Sequence, residues 1–165
     1  MIKEKDLREM RPAVRYQNGQ DITLKTVQEA LQHCAQQHGI PVAFYADEIK
    51  YGGLIGGSVG ECIVLYHPEH EKDYFKVAIR VTHQGNYALV SVNDFGTSKL
   101  MGNEGSKEYL KDTLRHGSGA EKAGALIGAG IRMMVKGGSN KQKLEEEQMW
   151  YGIVIDIFDE IVSYE

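Results

Sequence analysis

YFKVAIRVTHQGNYALVSV, residues 74–92, decides the fold of this chain. Phe75, Val77, Ile79 and Val81 alternate with Lys76, Arg80 and Thr82, the period of two that gives a strand one apolar and one polar face. Residues 87–92 read as a second strand, and His83-Gln84-Gly85-Asn86 between them reads as a glycine-containing hairpin loop. Upstream, residues 62–66 are almost continuously apolar and residues 41–46 form a further apolar, β-branched and aromatic run. These segments predict an antiparallel meander of about four strands with one face buried and one partly wet. Val14-Arg15-Tyr16, before the turn pair Asn18-Gly19, offers an additional edge strand. Residues 1–12 carry alternating charges and read as a short helix around Ile2, Leu7 and Met10, or as a loose arm.

Helical spacing brackets the meander. In residues 23–38, Leu24, Val27, Ala30, Leu31, Cys34 and Ala35 share one face, and Gly39 supplies the stop. Cys34 therefore reads as a buried structural thiol, and His38 suits the negative end of the helix dipole. From Asn93 the chain turns polar and punctuated and reads as a connecting loop, and residues 106–116 read as a short helix. Residues 118–138 follow, SGAEKAGALIGAGIRMMVKGG, with a capping box at Ser118 and Glu121 and a stop at Gly137-Gly138. Ala120, Gly124 and Gly128 recur every four residues beside an apolar arc holding Ile127 and Ile131. Each interior glycine costs up to about 1 kcal/mol of helix propensity, so a closely approaching backbone is expected along that row. Residues 141–164 close the chain. Leu144, Trp150, Tyr151, Val154, Ile155, Ile157, Phe158, Ile161 and Val162 share a helical arc, although WYGIVIDIF is β-branched enough to suit a strand.

The sequence thus predicts an α+β fold: an N-terminal helix, an antiparallel sheet of about four strands, and C-terminal helices packed on one face. Its 165 residues, 42% of them hydrophobic, suit a single domain with a sizeable core. Cys34 and Cys62 form no C-x-x-C pair, and the charged start lacks an apolar signal core, so a reduced, cytoplasmic setting is expected. A net charge of −4 argues against general nucleic-acid binding, and no apolar run reaches the roughly 18 residues of a membrane span.

Short motifs suggest chemistry without completing it. Gly56-Gly57-Ser58-Val59-Gly60 matches the G-x-S-x-G elbow of α/β-hydrolases, but the residues that follow read as a strand where the elbow needs a helix. Val77-Ala78-Ile79-Arg80 followed by Asp94-Phe95-Gly96 resembles protein-kinase signatures. Arginine stands where the kinase lysine belongs, no H-R-D is present, and the gap leaves no room for a catalytic lobe, so nothing carries over. The glycine-rich Gly52–Gly60 loop lacks a P-loop lysine and reads as a mobile hairpin. His67-Pro68-Glu69-His70-Glu71 is the densest group of metal-ligand types, and His83 completes a candidate set of His67, His70 and His83. A solvated polar turn explains the same residues, because two histidines do not close a coordination sphere.

Two functions are compatible with these residues. The first is a non-catalytic interaction or regulatory domain, with itself or another protein as partner and no cofactor. It would self-associate through Gly124, Gly128, Ile127, Ile131 and Trp150. The second is a small-ligand or metal-dependent enzyme using the Gly52–Gly60 loop and the His67/His70 turn, which requires Ser58, His67, His70 and His83 to line one pocket.

Overall fold

The computed structural model describes residues 1–53, 55–96, 98 and 141–163. The chain clusters into two compact units: Met1–Glu71 with Phe75–Gly96, and Lys72–Tyr74 with Thr97–Glu165.

The first unit is built on one mixed sheet. Its strands are β1 (Ile2–Lys3), β2 (Arg8–Glu9), β3 (Val14–Gln17), β4 (Ala43–Tyr51), β5 (Ser58–Tyr66), β6 (Lys76–Gln84) and β7 (Tyr87–Phe95), and its helix is α1 (Leu24–His38). The fold is α+β. The expected meander is present as β4–β7, but three short N-terminal strands enlarge the sheet to seven. Strand order is β1-β4-β5-β6-β7-β2, and β3 shares the outer edge of β7 with β2. The sheet is not purely antiparallel, because β1 runs parallel to β4.

Residues 1–9 are neither a helix nor a loose arm. β1 pairs with the outer edge of β4 and β2 with the outer edge of β7, so this segment joins the two edges of the meander. A flat sheet would hold β1 and β2 five strand spacings apart, about 24 Å. The five Cα steps from Lys3 to Arg8 reach about 17 Å fully extended, and the Glu4–Asp6 3-10 turn shortens them further. The sheet must therefore curl to bring its edges together. Ile2 and Leu7 pack with Ile49, Cys62, Val64, Ala78 and Phe95 on the inside of the curl. Arg8 fastens the far edge: its Nε donates to Asp94 Oδ1 at 2.8 Å and its Nη2 to the Gly96 carbonyl at 2.7 Å.

Alternation sorts the remaining side chains. Ile63, Leu65, Val77, Ile79 and Val92 are buried on the opposite face, where α1 lies over β5 and β6 with Val27, Leu31, Cys34 and Ala35 buried. α1 starts at a reciprocal Thr23/Thr26 capping box and ends at Gly39, whose φ of +66° is the left-handed stop expected there. The β6–β7 hairpin is tighter than the sequence suggested. Gln84 pairs with Tyr87, leaving Gly85-Asn86 as the turn. A left-handed φ at the first turn residue alone (Gly85, +58°) is the type II′ pattern. β7 also runs on through Asn93, Asp94 and Phe95, which the polar composition had assigned to a loop.

In the second unit, α2 (Lys141–Ser163) resolves the ambiguity of the closing segment in favour of a helix. Leu144, Tyr151, Val154, Ile155 and Phe158 recur at intervals of three, four and seven residues and are all buried, a pattern that a strand would scatter over two faces. Buried Glu147 accepts a 2.7 Å hydrogen bond from the Ser98 hydroxyl. No described helix is long and apolar enough to cross a membrane. The expected helices at 106–116 and 118–136, with Gly124, Gly128, Ile127 and Ile131, lie outside the described residues.

Candidate functional site

The site begins with two strands that part. β4 and β5 pair continuously from Ala43↔Tyr66 to Tyr51↔Ser58. β6 and β7 pair continuously from Lys76↔Phe95 to Gln84↔Tyr87. Between these two ribbons the β5–β6 ladder holds three pairs: Leu65↔Val77, Val64↔Ala78 and Ile63↔Ile79. Beyond Ile63 and Ile79 the ribbons separate. Residues 58–62 of β5 and 80–84 of β6 are then paired along one edge each. Tight curling of a short sheet accounts for such a split, since each ribbon keeps its own twist.

A cleft of about 720 Å³ occupies the split. Gly60, Arg80, Thr82 and His83 line it from the two strands, Tyr51 from β4 and Lys25 from α1. Its volume lies within the roughly 300–1,000 Å³ of ordinary ligand pockets. An adjoining cavity of about 830 Å³ under α1 is bordered by Glu29, Asp47 and Glu48, and Lys25 and Glu61 stand on the walls of both recesses.

A polar network crosses the cleft floor. The Tyr51 ring lies against Gly60, where an added Cβ would stand 2.9 Å from Tyr51 Cε2. Over the glycine on β5 the tyrosine passes to β6, where its hydroxyl accepts from Arg80 Nη1 at 3.0 Å. Arg80 Nη2 donates to Asn93 Oδ1 on β7 at 2.9 Å, and the guanidinium also lies 5.8 Å from the Tyr51 ring centroid. Arg80 Nε is buried without a hydrogen-bond partner. Cys62, on the next strand, is no nucleophile: burial first, and then the Asp47 carboxylate, push its thiol up to about 11.

The sequence-based candidates do not converge. Ser58 is exposed on β5 and paired opposite Tyr51, so the G-x-S-x-G match is a hairpin shoulder and not a nucleophile elbow. Its loop turns through left-handed glycines at Gly52 and Gly56. Ser58 and His67 stand nine residues apart along an extended segment, about 30 Å. His67 and His70 close a turn in which the His70 N–H donates to the His67 carbonyl at 3.0 Å. His67 Nδ1 accepts from the Glu69 N–H at 3.1 Å, which occupies one of its two metal-binding nitrogens. The two rings meet edge to face, 4.7 Å apart. His83 lies six residues along β6 from Val77, the partner of Leu65, about 20 Å from that turn. Its Nε2 is 3.2 Å from the Gly19 carbonyl. Among the described residues no three His, Cys, Asp or Glu side chains are grouped to hold a metal. Trp150, expected at an interface, is 5% exposed and lies 5.8 Å, centroid to centroid, from Tyr74 of its own unit.

The Arg80 network escaped the sequence reading because arginine at a polar phase of a strand ordinarily faces water. The available signal was Gly60, a glycine inside a strand pattern, which marks a close approach. No family model, curated protein or solved structure matches this chain.

Proposed function

We propose that the chain is a non-catalytic interaction domain that binds an extended segment of a partner polypeptide by strand addition between β5 and β6. The observation that carries this reading is the pairing of residues 58–62 and 80–84 along one edge each. Unpaired strand edges present N–H and C=O groups at the spacing of another strand, and main-chain hydrogen bonds supply affinity in this mode of recognition. The exposed Ile55 and Val59 beside the open end of the split add apolar surface for the incoming chain. Selection from a hexapeptide library, followed by amide hydrogen exchange on the complex, tests the reading. Protection gained over 58–62 and 80–84 is the expected result, and protection confined to other segments would sink it.

Self-association through the glycine flank at Gly124 and Gly128, with Ile127 and Ile131, is the second part of the proposal and rests on their four-residue spacing. Native mass spectrometry gives the subunit count. Gly124→Leu is expected to dissociate the oligomer, because a leucine fills the flank where a backbone would approach. An unchanged mass distribution argues against it.

A further inference from the structure

We infer that the β5–β6 split receives the C-terminal end of a polypeptide, with its free carboxylate seated on Arg80. The inference rests on the strand-addition reading and specifies which part of the partner enters. Its first ground is shape. The split is open at Ser58 and Gln84 and closes where Ile63 pairs with Ile79, so a strand entering it must end there. Arg80 is the first β6 residue past the closure. An inserted strand therefore brings its own terminus to the guanidinium, while a segment from the middle of a chain would have to turn back out of a narrowing gap.

The second ground is charge. A guanidinium is always ionised and offers five N–H donors in a planar fork. Arg80 gives one donor to the neutral Tyr51 hydroxyl and one to the neutral Asn93 amide oxygen. Its Nε is buried without a partner, and among the described residues no carboxylate forms an ion pair with it. A partly buried cation held only by neutral groups is incompletely compensated, which favours an anion beside it. A carboxylate suits the fork because it accepts two parallel hydrogen bonds. Lys25 and His83 stand on the cleft wall with Arg80, against one carboxylate, Glu61, so donor groups outnumber it there. Tyr51 and Asn93 hold the guanidinium from two different strands, so its orientation is set before a ligand arrives.

A hexapeptide library synthesised both as free acids and as C-terminal amides tests this directly, with affinities measured by fluorescence anisotropy on the full chain. The expected result is that the tightest free-acid peptide loses at least tenfold in affinity on amidation. Arg80→Gln should abolish that difference, and Arg80→Lys, which keeps the charge but not the fork, should retain only part of it. If Arg80→Gln does not fold, the acid–amide comparison on the natural chain and the lysine variant carry the test. Equal binding of acids and amides overturns the carboxylate inference while leaving strand addition standing. Binding of neither library overturns both. Succinate is titrated separately, and Arg80-dependent succinate binding without peptide binding would reassign the cleft to a small organic acid and overturn the inference.

Discussion

Tyr51 reaches Arg80 by lying across Gly60, and the hydroxyl-to-guanidinium hydrogen bond of 3.0 Å joins β4 to β6 over the top of β5. The glycine is what permits the bridge. Gly60→Ala places a methyl group 2.9 Å from Tyr51 Cε2, so the ring must shift from its present position. We expect a loss of about 1–3 kcal/mol, the range for an overpacked contact, measured by urea unfolding. In a Tyr51→Ala background the same change should cost much less, and equal costs in both backgrounds would show that the ring is not the obstacle.

The Arg8–Asp94 pair fastens β2 to β7 with Asp94 only 4% exposed. Asp94→Ala leaves Arg8 without its carboxylate and frees the edge that closes the curl. A loss of about 1.5–3 kcal/mol is expected, the range for a hydrogen bond to a charged group, because Arg8 is itself part-exposed and keeps its bond to the Gly96 carbonyl. A change below about 1 kcal/mol, typical of surface pairs, would mean that the pair does not hold the edge.

Ile2 separates the structured N-terminal segment from a loose arm. It is 7% exposed and packs with Ile49 and Cys62 inside the curl. Ile2→Ala should therefore cost about 2–4 kcal/mol, the range of a core truncation. Truncation on a loose arm would stay within about 0.5 kcal/mol, so one denaturation curve decides between the two.

Stability should fall in alkali. Burial, followed by Asp47, holds the Cys62 thiol at about 11 against an ordinary 9.0. Tyr45 is held at about 12 against 10.0, again by burial and then Asp47. Between these values the unfolded chain has released protons that the folded chain keeps, so stability decreases as pH rises. The contribution is complete below pH 9 and is lost progressively from about pH 9 to 12. Urea midpoints at pH 8 and pH 10.5 measure it, and Cys62→Ala should flatten the decline. A midpoint that does not move between those pH values would contradict the burial of both groups.

Gln148 on α2 is wholly buried, and neither its amide oxygen nor its nitrogen has a hydrogen-bond partner among the described residues. An unsatisfied buried amide costs about 1–3 kcal/mol, whereas an apolar group of similar shape costs nothing comparable. Gln148→Met is expected to raise the melting temperature. A lowered one would mean that the amide is hydrogen-bonded.

The amino-acid sequence by itself determined the local elements whose signals are periodic. Alternation at Phe75, Val77, Ile79 and Val81 specified β6, and helical spacing with Thr23 and Gly39 at the ends specified α1. Such patterns are legible because each residue reports its own burial on one face. The same period carried α2 through the β-branched run at 153–157, where propensity alone pointed the other way. Residues 1–9 are different. Ile2-Lys3 and Arg8-Glu9 are too short to show any period, and only the edges of β4 and β7 make strands of them. Pairing between distant segments likewise decided the candidate site. Where the β5–β6 ladder stops depends on how the closed sheet curls, and the placement of Tyr51, Gly60, Arg80 and Asn93 on four successive strands follows from register. Register couples residues tens of positions apart, and no local window of the sequence contains it.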